Sequence, residues 1–378
     1  FRPDSIWVMQ SWSLRKAIVK AVPKERLLIL DLNSARAKGT KGFWGYPYVA
    51  GELHNFGGKN SLHGDLEAAA SFSYRKQQKK HPNLTGAGLF MEGINQNPLF
   101  YDLQFTMLTQ AEGVNLQQWL ADYAVRRYGS DEACLREALR LLRMSCYAAK
   151  TSDSERGSIL CARPHWWIDR AAPNDMIEIR YSNRMLLRAL EKLLEAKRAG
   201  KDGYAFDLCD IARQALSNHA LSLYNQAMDG FFQHNRAMFE HASASFLELL
   251  QDMDRLLATR PELRLSRWAE RAQKLGEDET MASYYRENAL ALITLWGPAE
   301  EPIIFDYAWR EWSGLMQQFY GMRWRMFFAF TLEHFDTLPR KKDRGIRQIY
   351  GRDPFDATPF LHEIGPVSYT HLTLPTTE

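Results

Sequence analysis

Ile6-Trp7-Val8-Met9-Gln10-Ser11-Trp12, then a stretch of helical spacing from Leu14 to Val22, then Leu27-Leu28-Ile29-Leu30-Asp31 form the passage on which the fold turns. Two short apolar runs end in polar residues. Between them Ala17, Ile18 and Ala21 recur at helical intervals until Pro23 stops the helix. That order of strand, helix and strand predicts parallel strands joined by crossover helices. Working outward, Tyr46 to Leu53 and Gly86 to Met91 repeat the strand pattern and close on chemically active types, His54-Asn55 in one case and Glu92 in the other. In such sheets the strand bodies are core, and the loops at their carboxyl ends converge on one functional face. About four strand units can be counted, against eight for a closed (β/α)₈ barrel and roughly five or six for an open doubly wound sheet. The polar stretch from Gly57 to Pro82 reads as a loop and a helix around Leu66 to Phe72, so the unit reads as incomplete at its amino end.

From about Asn115 onward the period is helical. Leu116, Trp119, Leu120 and Tyr123 share one face of a helix that Gly129 terminates, and Ser130 offers a cap to the next helix, with Asp131 and Glu132 in its first turn. Helices are predicted over 130–148, 183–199, 207–228, 236–258, 265–275, 279–295 and 306–330, with no fixed repeat linking them.

Composition narrows the class. The chain has 378 residues, 46% hydrophobic and 25% charged, which excludes a disordered or fibrous protein and allows two or three domains. A net charge of +3, from 48 basic and 45 acidic residues, is far from the one-sided field of a nucleic-acid binder. The clusters Arg75 to Lys80 and Arg340-Lys341-Lys342 lack interleaved aromatics and read as solvated faces, so nucleic acid is not an expected partner. No apolar run approaches the roughly 20 residues of a membrane span. The chain opens at Phe1 without a leader pattern, so any targeting segment is expected outside it. Cys134, Cys146, Cys161 and Cys209 form no CxxC pair and read as buried thiols, with a Cys146 to Cys161 disulfide as the lesser alternative. Asn83-Leu84-Thr85 fits a glycosylation triplet, a pattern common by chance.

The sharpest local signal is Gly86-Ala87-Gly88-Leu89-Phe90-Met91-Glu92-Gly93-Ile94-Asn95-Gln96-Asn97. A carboxylate follows an apolar strand, flanked by glycines that let other chains approach, with three amide side chains downstream able to orient hydroxyl groups. Glu92 is the catalytic candidate; the competing reading is an ion-paired loop glutamate. A dinucleotide loop fails because Met91 stands where the third glycine should be. In Leu53-His54-Asn55-Phe56-Gly57-Gly58, His54 and Asn55 can face a pocket across a tight turn, or the histidine can be satisfied by backbone. His54 and His63 lack a third ligand at recognisable spacing, so no metal is expected. Trp12, Trp44 and Trp296 are candidates for stacking on a sugar, whereas Trp309, Trp312 and Trp324 fall in a helical period and read as packing.

Three blocks in order, Val8-Met9-Gln10-Ser11-Trp12, Leu53-His54-Asn55-Phe56-Gly57-Gly58 and Met91-Glu92-Gly93-Ile94-Asn95-Gln96-Asn97, resemble the α-N-acetylglucosaminidase family of glycoside hydrolases. Leu295-Trp296-Gly297-Pro298 with Asp306-Tyr307-Ala308 continues the resemblance, which runs from residue 1 to about 360. It implies a fold class of α/β plus all-α: the carboxy-terminal half of a (β/α)₈ TIM barrel over 1–112 and an α-helical domain over 113–365. The tail over 366–378 continues neither the helical period nor the composition before it and reads as a disordered end or non-native sequence. The resemblance also implies a retaining exo-hydrolase removing terminal α-linked N-acetylglucosamine from glycans, with no cofactor. Glu92 matches the family's nucleophile; Trp12, Leu53, Trp296, Ile304 and Tyr307 match its sugar-binding wall, with His54 and Asn55 assigned to substrate positioning. The family's acid/base glutamate lies upstream of anything resembling Phe1, and Glu52 is a neighbour of a motif and not its substitute. The chain alone is therefore expected to be inactive. An exported location, whether periplasmic, secreted or lysosomal, is implied, and a homo-oligomer is left open. The rival readings are a non-catalytic glycan-binding or scaffold protein with a degenerate barrel remnant, and a glycosidase for another sugar such as a β-linked hexosaminide.

Overall fold

The structure, a computed structural model, describes residues 2, 4–149, 156–173, 175–296, 304, 306–338 and 340. The predicted tail over 366–378 and the Gly297-Pro298 break lie outside the described residues. The chain forms two compact units, one of residues 1–155 with 191–204, the other of 156–190 with 205 onward.

In the first unit the four expected strands are present: β1 (Trp7–Gln10), β2 (Leu27–Asp31), β3 (Tyr48–Glu52) and β4 (Leu84–Leu89). They form one parallel sheet in chain order, with Val8 opposite Leu28, Ile29 opposite Tyr48 and Val49 opposite Gly86. Helix α1 (Lys16–Ala21) crosses from β1 to β2, and α2 (Leu66–Ala70) and α3 (Tyr74–Lys80) lie between β3 and β4. Leu27, Ile29, Tyr48, Ala50 and Leu84 share a core with Val19 of α1 and with Phe43 and Tyr46. Alternate residues of β2 are only half-buried. β1, predicted as a core-like run, is an edge strand, with Ile6 63% and Val8 60% exposed. β4 begins two residues earlier than the sequence suggests. Its glycines sit opposite Val49 and Gly51, and Gly51 must itself be glycine because a Cβ there would come within 2.0 Å of the Phe90 ring.

The glycosylation triplet is absorbed by the fold. The Asn83 amide donates to the carbonyls of Gly42, at 2.7 Å, and Tyr46, and the Thr85 hydroxyl donates to Tyr48. Helix α4 (Pro98–Thr109), like α3 not among the predicted helices, carries Pro98 in its first turn and buries Leu99, Phe100, Leu103 and Met107 at helical spacing. α5 (Leu116–Tyr128) starts at an Asn115 cap and ends at Gly129, with φ 82°, as expected. α6 (Ala133–Arg143) departs from expectation: Ser130 bonds the Glu132 side chain instead of capping, and Glu132 accepts N–H groups of Lys197 and Arg198.

The remaining helices are α7 (Asn183–Leu194), α8 (Asp202–Phe232), α9 (Arg236–Ala258), α10 (Leu265–Gln273), α11 (Glu279–Ile293) and α12 (Gly321–Glu333). The helix predicted over 306–330 is broken. Asp306 (φ 54°) and Gly314 (φ 93°) hold left-handed backbone, a π-helical turn follows at Leu315–Tyr320, and regular helix starts only at Gly321. The second unit is built on aromatic packing, with Trp324 at its centre against Phe246, Phe328 and Tyr224. Trp309 and Trp312 are buried too, though not on a helix. Two charged groups are buried beside this core: Arg213 between Asp210 and Glu311, and Asp306 between Arg163 (2.9 Å) and Arg323 (3.0 Å). No disulfide joins the four cysteines.

Candidate active site

In the first unit the three sequence blocks meet at the carboxyl ends of the strands. After β1 the chain makes a tight 3₁₀ turn at Ser11–Ser13, in which the Gln10 side chain accepts the Trp12 N–H at 2.6 Å. Trp12 is left 38% exposed and stacks on Phe56, ring centres 5.8 Å apart and planes 17° from parallel. Phe56 belongs to the turn after β3, where Gly57 (φ 64°) and Gly58 (φ 68°) adopt the left-handed backbone that glycine alone takes without strain. This conformation aims the Gly57 N–H at Oε2 of Glu92, 2.5 Å away. Glu92 lies in the exposed turn after β4. An exposed carboxylate is thus fixed by a backbone donor, with its neighbour in sequence part of an aromatic platform of the kind that packs on sugar C–H faces.

The other predicted residues fall in different places. Leu53 is buried. His54 is not on an open face: its ring is sandwiched between His63 and Phe100, at 3.9 and 3.8 Å, and Nε2 faces the His63 carbonyl at 2.9 Å, so that nitrogen carries the proton. Burial drives its pKa down to about 4, against the opposing pull of the His63 carbonyl, which leaves a neutral imidazole. Asn55 is fully buried, donating through Nδ2 to Ser61 and through its backbone N–H to the Tyr101 hydroxyl. Of the three downstream amides only Asn95 is exposed; Gln96 turns back to Gly93, and Asn97 is buried. Trp44 packs against the core shared by β2 and β3.

Glu52 points into the helix-facing layer. It lines a cavity of about 330 Å³ together with His54, His63, Asp65, Phe72 and Phe100, and Glu92 lies outside that cavity. Burial raises its carboxyl to about 7. The His54 Nδ1 to Glu52 Oε1 distance is 3.8 Å, too long for a hydrogen bond. Asp31, another acid at a strand end, is also turned inward, accepting the N–H groups of Arg36 and Ala37.

In the second unit Trp296 and Tyr307 come together, with Ile304 three residues before Tyr307 in the chain. Trp296 (φ 64°) packs on Tyr307 with centres 4.8 Å apart, Ile304 is 38% exposed, and Asp306 between them ties its backbone N–H to the Leu295 carbonyl. Tyr101 and Tyr147 are not expected from the sequence, Phe56 lies in a quoted block without a role, and Asn97 is expected to orient ligand hydroxyls but is buried. The available signals were Asn97-Pro98 as a turn leading into a helix and Phe56 inside a motif already in view. Among the described residues no cluster of three or more His, Cys, Asp or Glu is arranged for a metal, and no helix is long and apolar enough to cross a membrane.

Family models for the alpha-N-acetylglucosaminidase tim-barrel domain and C-terminal domain match residues 1–111 and 119–349 respectively. Human alpha-N-acetylglucosaminidase (Homo sapiens) is 30% identical over 342 residues, covering 86% of this chain and 45% of the relative. A family 89 glycoside hydrolase from Clostridium perfringens, in complex with 2-acetamido-1,2-dideoxynojirmycin, matches with a TM-score of 0.82 at 26% identity, over 98% of this chain and 45% of that one. A form of the Clostridium perfringens enzyme with two glutamates replaced by glutamine, in complex with its substrate GlcNAc-alpha-1,4-galactose, matches at 0.81 and 27%, over 97% and 44%. The chain spans under half the length of these relatives.

Proposed function

The chain belongs to the α-N-acetylglucosaminidase family of glycoside hydrolases, and we propose that the protein containing it removes terminal α-linked N-acetylglucosamine from glycans by double displacement, with Glu92 as nucleophile. The observation that carries this reading is the Glu92 carboxylate held by the Gly57 N–H at the carboxyl end of a parallel sheet, beside the Trp12–Phe56 stack. In the first step Glu92 attacks the anomeric carbon while a second carboxylic acid protonates the departing oxygen, giving a covalent glycosyl ester. In the second step the same acid, now a base, takes a proton from water as the water attacks the anomeric carbon and releases Glu92.

The two carboxyl groups of a retaining site stand about 5 Å apart. Glu52 is directed into the helix layer and is not a candidate for the second, so on this reading the acid/base comes from outside residues 1–378, and the chain alone is inactive. The paired glutamate replacements in the Clostridium perfringens complex support a mechanism that needs two carboxyls. Trp12, Trp296, Ile304 and Tyr307 are the proposed sugar-contacting positions, and Leu53, which is buried, would act by packing and not by direct contact. His54 and Asn55, given their burial, would position substrate through the loop they brace. An exported location belongs to the same reading.

In the full-length protein Glu92→Gln keeps the side chain's shape and removes the nucleophile. Turnover of an α-linked chromogenic N-acetylglucosaminide should fall at least about a thousandfold while binding of an N-acetylglucosamine-like inhibitor changes little. A near-normal rate in that variant would remove Glu92 from the mechanism.

A further inference from the structure

We propose that Asn97 is a positioning residue for the nucleophile: its buried carboxamide clamps the loop after β3 to the loop after β4 and so sets where the Gly57 N–H meets Glu92. This rests on the reading of Glu92 as nucleophile. Asn97 is the residue before α4, in left-handed backbone (φ 47°), where an asparagine side chain ordinarily accepts an N–H from the helix's own first turn. Here it makes no such bond. The carboxamide instead reaches distant segments: Nδ2 donates to the His63 carbonyl at 2.7 Å and to Asn55 Oδ1 at 3.2 Å, and Oδ1 accepts the Tyr147 hydroxyl at 2.7 Å. Asn97 is wholly buried.

These bonds join the two halves of the candidate site. The His63 carbonyl also faces His54 Nε2, and Asn55 is held in addition by Ser61 and Tyr101, so the segment 54–63 is tied at both ends to the carboxamide of Asn97. Gly57 lies within that segment, and Glu92 lies five residues before Asn97 on the opposing loop. A donor and an acceptor on two separate loops keep their separation only if the loops are tied near the point of contact. Asn97 supplies the tie, and each polar end of its amide is matched: aspartate at 97 would set an acceptor against the His63 and Asn55 oxygens. Displacing a reacting group by about 1 Å through a remote change can cost about a hundredfold in rate.

The test uses the full-length protein, an α-linked chromogenic N-acetylglucosaminide, and amide hydrogen exchange over residues 55–58. Asn97→Gly keeps the left-handed backbone and removes the carboxamide; Tyr147→Phe removes one donor to it. Asn97→Gly should speed exchange over 55–58 at least about tenfold and lower kcat about a hundredfold, with KM within about threefold of the parent. Tyr147→Phe should lower kcat about three- to tenfold, and the double variant should be no slower than Asn97→Gly alone, because Tyr147 acts through Asn97. A folded Asn97→Gly protein with kcat within about twofold of the parent overturns the proposal, as does a change confined to KM. If Asn97→Gly does not fold, Tyr147→Phe decides by the same criteria. Should the parent itself fail to turn over the α-linked substrate, the functional reading fails. The clamp is then judged by exchange alone: acceleration in Asn97→Gly supports it and unchanged exchange overturns it.

Discussion

Gly57 and Glu92, 35 residues apart in the chain, are joined by a hydrogen bond from a backbone N–H to a carboxylate oxygen. The bond depends on conformation, since Gly57 is at φ 64°. A carboxylate intended to attack carbon must keep its trajectory, and a backbone donor from a rigid turn fixes one of its oxygens without a side chain that would itself need ordering.

Gly57→Ala should therefore weaken both stability and rate. A Cβ in left-handed backbone costs about 1–2 kcal/mol, and any relaxation of φ swings the N–H away from Glu92. Denaturant unfolding should register a loss of that size, and kcat should fall more than tenfold. Unchanged values of both would mean that the turn does not orient the carboxylate.

The Glu52–His54 pair gives a pH signature. Burial raises Glu52 from 4.5 to about 7, so its contribution to stability is complete below about pH 4.5 and is lost as pH rises through about 7. Burial lowers His54 from 6.5 to about 4, so its contribution is present above about pH 6.5 and is lost as pH falls through about 4. Glu52→Gln should match the parent in thermal stability near pH 4.5 and exceed it increasingly up to pH 8, by on the order of 1–3 kcal/mol, the range allowing for the partial exposure of the side chain. A difference that stays flat across that range would contradict the burial of this carboxyl.

Asp306 anchors the turn that carries Ile304 and Tyr307. Burial pushes its pKa up, but Arg163 and Arg323 outweigh burial and hold the carboxyl below its ordinary value, so its contribution is present above the usual carboxylate range and is lost on acidification. Asp306→Asn tolerates the left-handed backbone and removes only the charge, leaving Arg323 buried without its counter-ion. A destabilisation of about 3–5 kcal/mol at neutral pH is expected in equilibrium unfolding. A loss below about 1 kcal/mol would show that the buried charges are compensated elsewhere.

Elements that declare themselves locally were legible in the sequence. β2 coincides with its predicted run, because Leu27 to Asp31 is a short apolar stretch between turn signals, and α9 matches its expected range at both ends, because Asn235 caps it and Phe239, Ala242, Phe246, Leu249, Leu250, Met253 and Leu257 bury one face. Local pattern could not give the exposure of β1, since apolar content does not say which strand is an edge. Nor could it give the break at Asp306, whose side-chain carboxylate is held between Arg163 and Arg323, 143 and 17 residues away. The same holds for the site. Trp12, the Gly57 turn and Glu92 stand out as strand-end chemistry. The inward turn of His54, Asn55 and Asn97 is decided by His63, Phe100 and Tyr147, partners that no spacing rule identifies.

Nucleophilic attack by Glu92 is open to trapping: the glycosyl-enzyme forms on the full-length protein with a slow fluorinated α-N-acetylglucosaminyl donor, and peptide sequencing locates the added mass. One sugar per chain, esterified to Glu92, is the expected product. A stable adduct on any other side chain, or release of sugar with inverted anomeric configuration and no adduct, would contradict attack by Glu92.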